Sequence, residues 1–383
     1  MEALESVEQE WPYVLSFLPS EEELERTARQ LGAIQRARAV DSASTLIRLA
    51  LVYGFCGYSL RQTAAWAQTA EVASLSDVAL LKRFRKAPNW LGHLLGSKLA
   101  ERVTPLEAGE ARLRLVDATT VSAPGSRGTD WRIHLDFDLG SMAISEVQLT
   151  EASGGESLLR YEFDPGEIVV ADRGYAHRGG LAHVVAAGAD FVVRLNWATV
   201  PLQQRGGEEF DLLGALRQMP ESRPATWELE TVPLAREALP ALPVRLVALR
   251  KSEQAAENDR KQILQEAARK QKSVKPQTLE LASYILVLTS TPEEQMSAEE
   301  ILETYRFRWQ IELVFKRLKS LLRLDDLPAR DPELARTALF AKLLGALLLE
   351  QLTQAYLSFS PWGYRLAPAR KNLALAPSQS PAR

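Results

Sequence analysis

At Arg112 the hydrophobic pattern of this 383-residue chain changes from a helical period to a strand-like one. Residues 113–120 form a short apolar β run, residues 131–138 alternate between apolar and polar side chains, and residues 142–149 form a third run. Short runs with a period of two, separated by turn residues, are typical of paired strands. The three runs therefore predict an antiparallel meander.

Helices and strands alternate after this meander. A helix is predicted around residues 156–161 and another over 179–187, with strands over 167–171 and 190–195. A three-strand meander followed by alternating helices and strands is the element order of an α/β, ribonuclease-H-like catalytic core. We assign residues 110–195 and 290–357 to this core.

The remaining segments differ from the core in composition and period. Residues 1–103 have helical periodicity throughout and predict an all-helical N-terminal domain. Residues 196–289 predict a mostly β insertion that contains one charged segment, Lys251 to Lys275, which is either a helix or a disordered linker. Residues 361–383 carry several Pro and Ser and predict a disordered tail.

Composition limits the chemistry. The formal net charge is −3, which argues against wholesale coating of nucleic acid but averages over local patches. A single cysteine excludes a disulfide framework and a cysteine-based zinc site, so a reducing cytoplasm is expected. The four histidines show no ligand spacing on one helix, so any metal would be held by carboxylates, as Mg²⁺ or Mn²⁺ prefers. We expect neither a signal peptide nor a membrane span.

Two aspartates end predicted strands of the core. Asp117 follows Leu115 and Val116, and Asp172 follows Val170 and Ala171. Polar groups at strand ends line the functional crevice of open α/β sheets, so the two carboxylates converge if their strands are neighbours. Converging like charges need neutralisation, and a pair of Mg²⁺ ions would supply it in the two-metal arrangement for phosphodiester chemistry. Taken alone, each acid has a simpler interpretation as a turn cap.

A third carboxylate lies on a predicted helix. Apolar side chains recur at near-helical spacing and predict one amphipathic helix with these residues on the core: Ile301, Tyr305, Trp309, Val314 and Leu318. Glu312 stands among Arg308, Lys316 and Lys319 on this helix. These charges form either (i, i+4) salt bridges on a solvated face or a metal ligand surrounded by cations that face a polyanion.

The spacing Tyr305-x2-Arg308-x3-Glu312-x6-Lys319 resembles the signature of the insertion-sequence DDE transposases typified by insertion sequence 4. Residues 116–120 (Val-Asp-Ala-Thr-Thr) and 170–175 (Val-Ala-Asp-Arg-Gly-Tyr) are similar to the two aspartate motifs of that family. The resemblance implies that Asp117, Asp172 and Glu312 are the catalytic metal ligands. It also implies a homodimer bound to two element ends.

The expected function is cut-and-paste DNA transposition by metal-dependent hydrolysis and strand transfer, with terminal inverted repeats and target DNA as partners. Tyr305, Arg308, Lys319 and Arg173 are candidate contacts to DNA near the acids. Lys82, Arg83 and Arg85 lie in a region that resembles a helix-turn-helix, and the alternative is a helical bundle with a solvated basic face. Two other functions stay open: a nuclease that cleaves without joining, and a non-catalytic DNA-binding protein.

Overall fold

The computed structural model describes residues 11–36, 39–100, 112–122, 124–126, 128–139, 143–220, 223–235, 238–309, 311–312, 315–316, 323 and 327–357. The helices in these ranges are α1 (Glu21–Gln30), α2 (Ala43–Phe55), α3 (Leu60–Thr69), α4 (Asp77–Phe84), α5 (Pro88–Ala100), α6 (Arg178–Ala186), α7 (Leu212–Gln218), α8 (Glu253–Arg269), α9 (Pro276–Leu281), α10 (Ala298–Arg306) and α11 (Pro332–Leu357). The strands are β1 (Arg112–Val121), β2 (Trp131–Asp138), β3 (Ala143–Glu151), β4 (Glu167–Ala171), β5 (Asp190–Arg194), β6 (Leu202–Gln204), β7 (Ala225–Thr231), β8 (Pro243–Arg250) and β9 (Tyr284–Thr289).

Serine caps begin the first four helices. Ser20, Ser42, Ser59 and Ser76 each accept a hydrogen bond from the backbone N–H three residues further on. Such a cap satisfies one of the N–H groups that the first turn of a helix leaves without a partner. In α1 the cap at Ser20 is followed by three first-turn glutamates, whose negative charges favour the N-terminal end of a helix.

The nine strands form one mixed sheet in the order β3-β2-β1-β4-β5-β9-β8-β7-β6. Strands β1, β2 and β3 make the predicted antiparallel meander, and β4 and β5 run parallel to β1. The predicted β insertion extends this sheet. Its strand β9 pairs antiparallel with β5, and β8, β7 and β6 then follow in that order toward the edge.

The charged segment of the insertion is helical. Residues Glu253–Arg269 form α8, so the helix alternative is correct over that range and the linker alternative is not. A second helix, α9, starts with Pro276 in its first turn and runs to Leu281. Strand β9 therefore begins only at Tyr284, since proline in the first turn favours a helix before it.

The long C-terminal helix packs on the N-terminal helices. Helix α11, which we expected on the catalytic core, makes its most extensive contacts with α2 and α5. Gly54 in α2 allows this approach, since a Cβ there would lie 3.0 Å from the carbonyl oxygen of Ala338. One hydrophobic core joins these helices to one face of the sheet, through residues such as Leu115 and Val170. The predicted tail, residues 361–383, lies outside the described residues.

A buried ionic cluster ties β1 to both of its neighbours. Arg114 on β1 pairs with Asp136 on β2, and it also donates to Glu167 on β4 across 2.7 Å. Burial raises the pKa of Asp136, and the Arg114 guanidinium opposes that rise. Paired buried charges are costly to separate. The cluster therefore holds β1 in register between β2 and β4.

Within the described ranges, no helix has both the length and the apolar character needed to cross a bilayer.

Candidate active site

Asp117 and Asp172 come together because of the register of two parallel strands. Strands β1 and β4 are hydrogen-bonded neighbours, and the last pair in their register is Val116 with Ala171. Each aspartate is the next residue of the chain, so the two side chains start where this parallel pairing ends. Asp172 follows β4 directly, whereas β1 does not end at Asp117 as predicted but continues to Val121 in its pairing with β2. Adjacent parallel strands lie about 4.8 Å apart. The sequence predicted that the two carboxylates converge if their strands are neighbours, and the strands are neighbours.

The environment of Asp117 is unfavourable to its negative charge. Burial raises its pKa to about 6, and the carboxylates of Asp172 and Glu156 act in the same direction. The backbone N–H of Ala118, which donates to Oδ1 at 2.8 Å, and the Arg308 guanidinium oppose the rise. When burial and like charges raise the pKa of a carboxyl group, a cation placed beside it stabilises the ionised form.

The signature residues reach this pair from helix α10 and the residues that follow it. Helix α10 packs across β5, β9, β4 and β8. The Tyr305 hydroxyl donates to Oδ1 of Asp172 at 3.3 Å, and Arg308 lies 5.8 Å from the centre of the Tyr305 ring. Burial raises the pKa of Tyr305 to about 12, and Asp172 adds to this, so the hydroxyl keeps its proton at neutral pH.

Glu312 is held by Arg308. The guanidinium Nη1 and the carboxylate Oε1 are 2.7 Å apart, and the Glu312 side chain is 54% exposed. This is the (i, i+4) salt bridge that the sequence offered as one of two interpretations. Among the residues that the structure describes, no three Asp, Glu, His or Cys side chains are grouped closely enough to hold a metal ion. The two aspartates are neighbours, whereas Glu312 is paired with Arg308, one turn earlier in the chain.

The expectation that Trp309 lies in the core is wrong. Trp309 is 48% exposed, and the buried face of this region runs through Ile301, Thr304, Ile311 and Phe315. Successive helical residues are about 100° apart. Arg308 therefore shares the buried face with positions 304, 311 and 315, and Trp309 lies on the solvent side. The helix is also interrupted by a turn at Phe307, the C-cap of α10.

The other candidate DNA contacts are dispersed. Arg173 is exposed in the turn after Asp172, and Lys82 is exposed on α4. Arg83 donates to the backbone carbonyls of Ala33 and Arg36. Arg85 pairs with Asp331, which accepts a hydrogen bond from the backbone N–H of Leu334 in α11. Lys319 lies outside the described residues.

Two neighbours of the acids were not predicted. Arg194 ends β5, whose Val193 pairs with Ala171, and it lies close enough to oppose the rise in the pKa of Tyr305. The same strand-end rule that found the aspartates applies to Arg194. Glu156 lies in the loop after β3, and only the path of that loop brings it near Asp117, so the sequence carried no signal for it.

Comparison with known proteins agrees with this arrangement. The family described as "Transposase DDE domain" matches residues 108–349, more than half of the chain. The chain is 42% identical over 358 residues to the putative transposase InsL for insertion sequence element IS186A of Escherichia coli K12, which covers 92% of this chain and 96% of that protein. It is also 42% identical over 359 residues to the transposase for insertion sequence element IS421 of Escherichia coli, with the same coverage.

The chain therefore belongs to the DDE transposases. Within that family it is an insertion-sequence transposase of the insertion sequence 4 type, and like other DDE transposases it depends on a divalent metal ion. Among solved structures, a piggyBac transposase synaptic complex with hairpin DNA has a TM-score of 0.40 to this chain at 10% identity, covering 88% of this chain and 80% of that one.

Proposed function

We propose that this chain catalyses cut-and-paste transposition of an insertion sequence, with Asp117, Asp172 and Glu312 as the carboxylates that hold two Mg²⁺ ions. The observation that supports this most is the adjacency of Asp117 and Asp172, which both follow the last pair of the parallel β1–β4 register. The strand order β3-β2-β1-β4-β5, with the meander antiparallel and the last two strands parallel to β1, is that of a ribonuclease-H-like core, and we propose that fold for the catalytic part.

The donor set fits a hard divalent cation. The acids offer only carboxylate oxygens, which suit Mg²⁺ and Mn²⁺. The raised pKa of Asp117 reflects negative charge that burial and neighbouring carboxylates leave uncompensated. When bound, such ions supply the charge that lets water, and later a 3′-hydroxyl, attack a phosphodiester.

In this scheme Arg308 exchanges one anionic partner, Glu312, for another, a DNA phosphate. Without metal it neutralises Glu312, and its charge also acts on Asp117. When Glu312 turns toward the aspartates, the guanidinium is released from it and is available to a phosphate of the cleaved strand. An arginine guanidinium matches phosphate geometry through paired N–H donors. Tyr305, Arg173 and Lys319 would complete the contacts to the DNA near the acids.

The helical N-terminal residues would bind the terminal inverted repeats. Lys82 is exposed on α4, and Arg83 and Arg85 follow on the same helix and its C-cap. Phosphate contacts by such cations position a protein on duplex DNA. Two copies of the chain, each on one element end, would form the synaptic complex as a homodimer.

An assay with DNA ends tests the proposal. The substrate is duplex DNA that carries the inverted repeat flanking this gene, and the readouts are strand cleavage and joining of the 3′-hydroxyl to a target plasmid in Mg²⁺. Asp117→Asn and Asp172→Asn should each reduce both by at least about a thousandfold, the size expected when about 4 kcal/mol of transition-state stabilisation is lost.

Asp164→Asn is the matched control. Asp164 is exposed and lies before β4, at the end of that strand opposite Asp172, and the variant should keep wild-type rates. Cleavage without joining would identify a nuclease instead of a transposase. DNA binding with neither reaction in any divalent metal would identify a non-catalytic protein.

A further inference from the structure

Glu156 is an acidic side chain close enough to act on the charge of Asp117. Its Oε1 accepts a hydrogen bond from Nη1 of Arg132 on β2 at 2.8 Å, and the two side chains are 30% and 22% exposed. Its other oxygen, Oε2, lies against Gly174 in the short 3₁₀ turn Arg173–Tyr175 that follows Asp172. Arg132 and Glu156 thus join β2 and the loop after β3 to the turn that carries Asp172.

Gly174 lies against this carboxylate, which a side chain at position 174 would displace. Within the described residues, Gly174 does not adopt a left-handed φ, so its backbone conformation is open to any residue. A Cβ at position 174 would overlap Oε2 of Glu156 and would lie 2.8 Å from its Cδ, whereas the Cβ of Glu156 would be at an ordinary 3.7 Å. The carboxylate therefore occupies the space where a side chain at position 174 would be.

On its core side, the Arg173–Tyr175 turn is held by its own backbone and by the Tyr175 ring. The backbone N–H of Tyr175 donates to the carbonyl of Asp172 at 3.0 Å, and the Tyr175 ring is fully buried. The side chain of Asp172 makes no cap bond to the turn. With Tyr175 anchored in the core below and Glu156 packed against Gly174, the turn has little freedom to carry Asp172 away from Asp117.

We propose that Glu156 is a positioning residue for the catalytic pair. Fixed by Arg132, it braces the Arg173–Tyr175 turn through Gly174 and so keeps Asp172 beside Asp117. The inference rests on the proposed function of the two aspartates. It assigns Glu156 no contact with the reacting atoms, so the shape of its side chain matters more than its charge.

Three variants test this brace: Glu156→Ala, Gly174→Ala and the double variant. Each single change should slow end cleavage about tenfold and weaken Mn²⁺ binding to the DNA-free chain, measured by electron paramagnetic resonance, by a similar factor. The double variant should be no worse than Glu156→Ala, because removal of the carboxylate leaves room for the new methyl group. Additive losses in the double variant would overturn the brace.

The conservative variant separates shape from charge. Glu156→Gln keeps the length of the side chain and an oxygen that accepts from Arg132, so it should retain cleavage and Mn²⁺ binding within about threefold of wild type. A loss in Glu156→Gln as large as in Glu156→Ala would overturn positioning and would show that the carboxylate acts through its charge.

Glu162→Ala, an exposed residue of the next loop, is the matched control, and thermal unfolding of every variant checks that the fold is kept. Gly174→Ala retains every other side chain, so it tests the brace even if Glu156→Ala does not fold. Full activity of both single variants, with Asp117→Asn inactive, would overturn the brace alone. Activity of Asp117→Asn would overturn the proposed function itself.

Discussion

The hydroxyl of Tyr305 donates a hydrogen bond to Oδ1 of Asp172, and this bond links two residues that are 133 positions apart in the chain. It joins helix α10 to the end of β4, so the segment that carries Arg308 and Glu312 is tied to the aspartate pair. Tyr305 thereby has a defined partner in the site before any DNA is bound.

Loss of this hydroxyl should be measurable. Tyr305→Phe keeps the ring on which Arg308 lies but removes the donor to Asp172, and a hydrogen bond to a charged group is worth about 1.5–3 kcal/mol. Since part of that is recovered by water, we expect end cleavage to fall about tenfold. Tyr13→Phe, at a 44% exposed tyrosine, is the control and should have no effect. Equal rates for the two variants would contradict a role for the hydroxyl.

Removing the charge of Glu312 should separate binding from chemistry. Glu312→Gln frees Arg308 from its ion pair and leaves the end-binding surface intact, so binding to the inverted repeat in a gel-shift assay should match or exceed wild type. Cleavage in Mg²⁺ should be lost by at least about a thousandfold, because a ligand of the metal is removed.

Glu303→Gln serves as the comparison for Glu312→Gln. Glu303 is exposed on α10, nine residues before Glu312, and should tolerate the change. Wild-type cleavage by Glu312→Gln would show that the glutamate is only a surface partner of Arg308.

The ionic cluster around Arg114 should matter for stability. Arg114→Met leaves Asp136 buried without its cation and Glu167 with Arg112 as its remaining partner, and breaking a buried pair in this way costs about 3–5 kcal/mol. Urea unfolding should show this loss. Arg26→Met breaks an exposed pair with Glu23 and should leave the urea unfolding curve close to that of wild type. Similar losses in both variants would mean that the cluster does not hold the strands.

His134 should contribute a pH-dependent loss of stability in acid. Burial, with help from Arg160 and Arg132, lowers the pKa of His134 from 6.5 to about 4. Between these values the unfolded chain binds a proton that the folded chain does not, so stability falls as pH decreases from 6.5 to 4, by about 3 kcal/mol from this group. His134→Gln removes the titration and should flatten that part of the curve.

The measurement for His134 is urea unfolding at several pH values between 7 and 4. The glutamine can keep a hydrogen bond to Thr150, which lies 3.0 Å from Nε2 in the wild type. His93→Gln, at an exposed histidine, is the control for the substitution itself. Parallel curves for wild type and His134→Gln would contradict a neutral buried imidazole.

Several features could be predicted because they depend on short stretches of the chain. The serine cap at Ser20, the meander of β1 to β3 and the strands before Asp117 and Asp172 follow from local period and capping chemistry. The DDE transposase family was predicted from four spaced residues and two strand-end motifs, and the comparisons confirm it. The roles of the individual site residues stay predictions.

Other features depend on contacts between distant parts of the chain. The exposure of Trp309 was mispredicted because a spacing of apolar residues fits more than one helical face, and only packing against the sheet selects one. The contacts of helix α11 with α2 and α5 could not be predicted either, since its apolar surface matches those helices as well as it matches a sheet.

Local pattern in the sequence thus determined which acids follow the apolar β runs and which segment carries the signature. The tertiary structure decided that β1 and β4 are neighbours, that Glu312 rests on Arg308, and that Glu156 lies against Gly174. Backbone period and capping act over a few residues, whereas strand register and loop paths are chosen by the burial of the whole core.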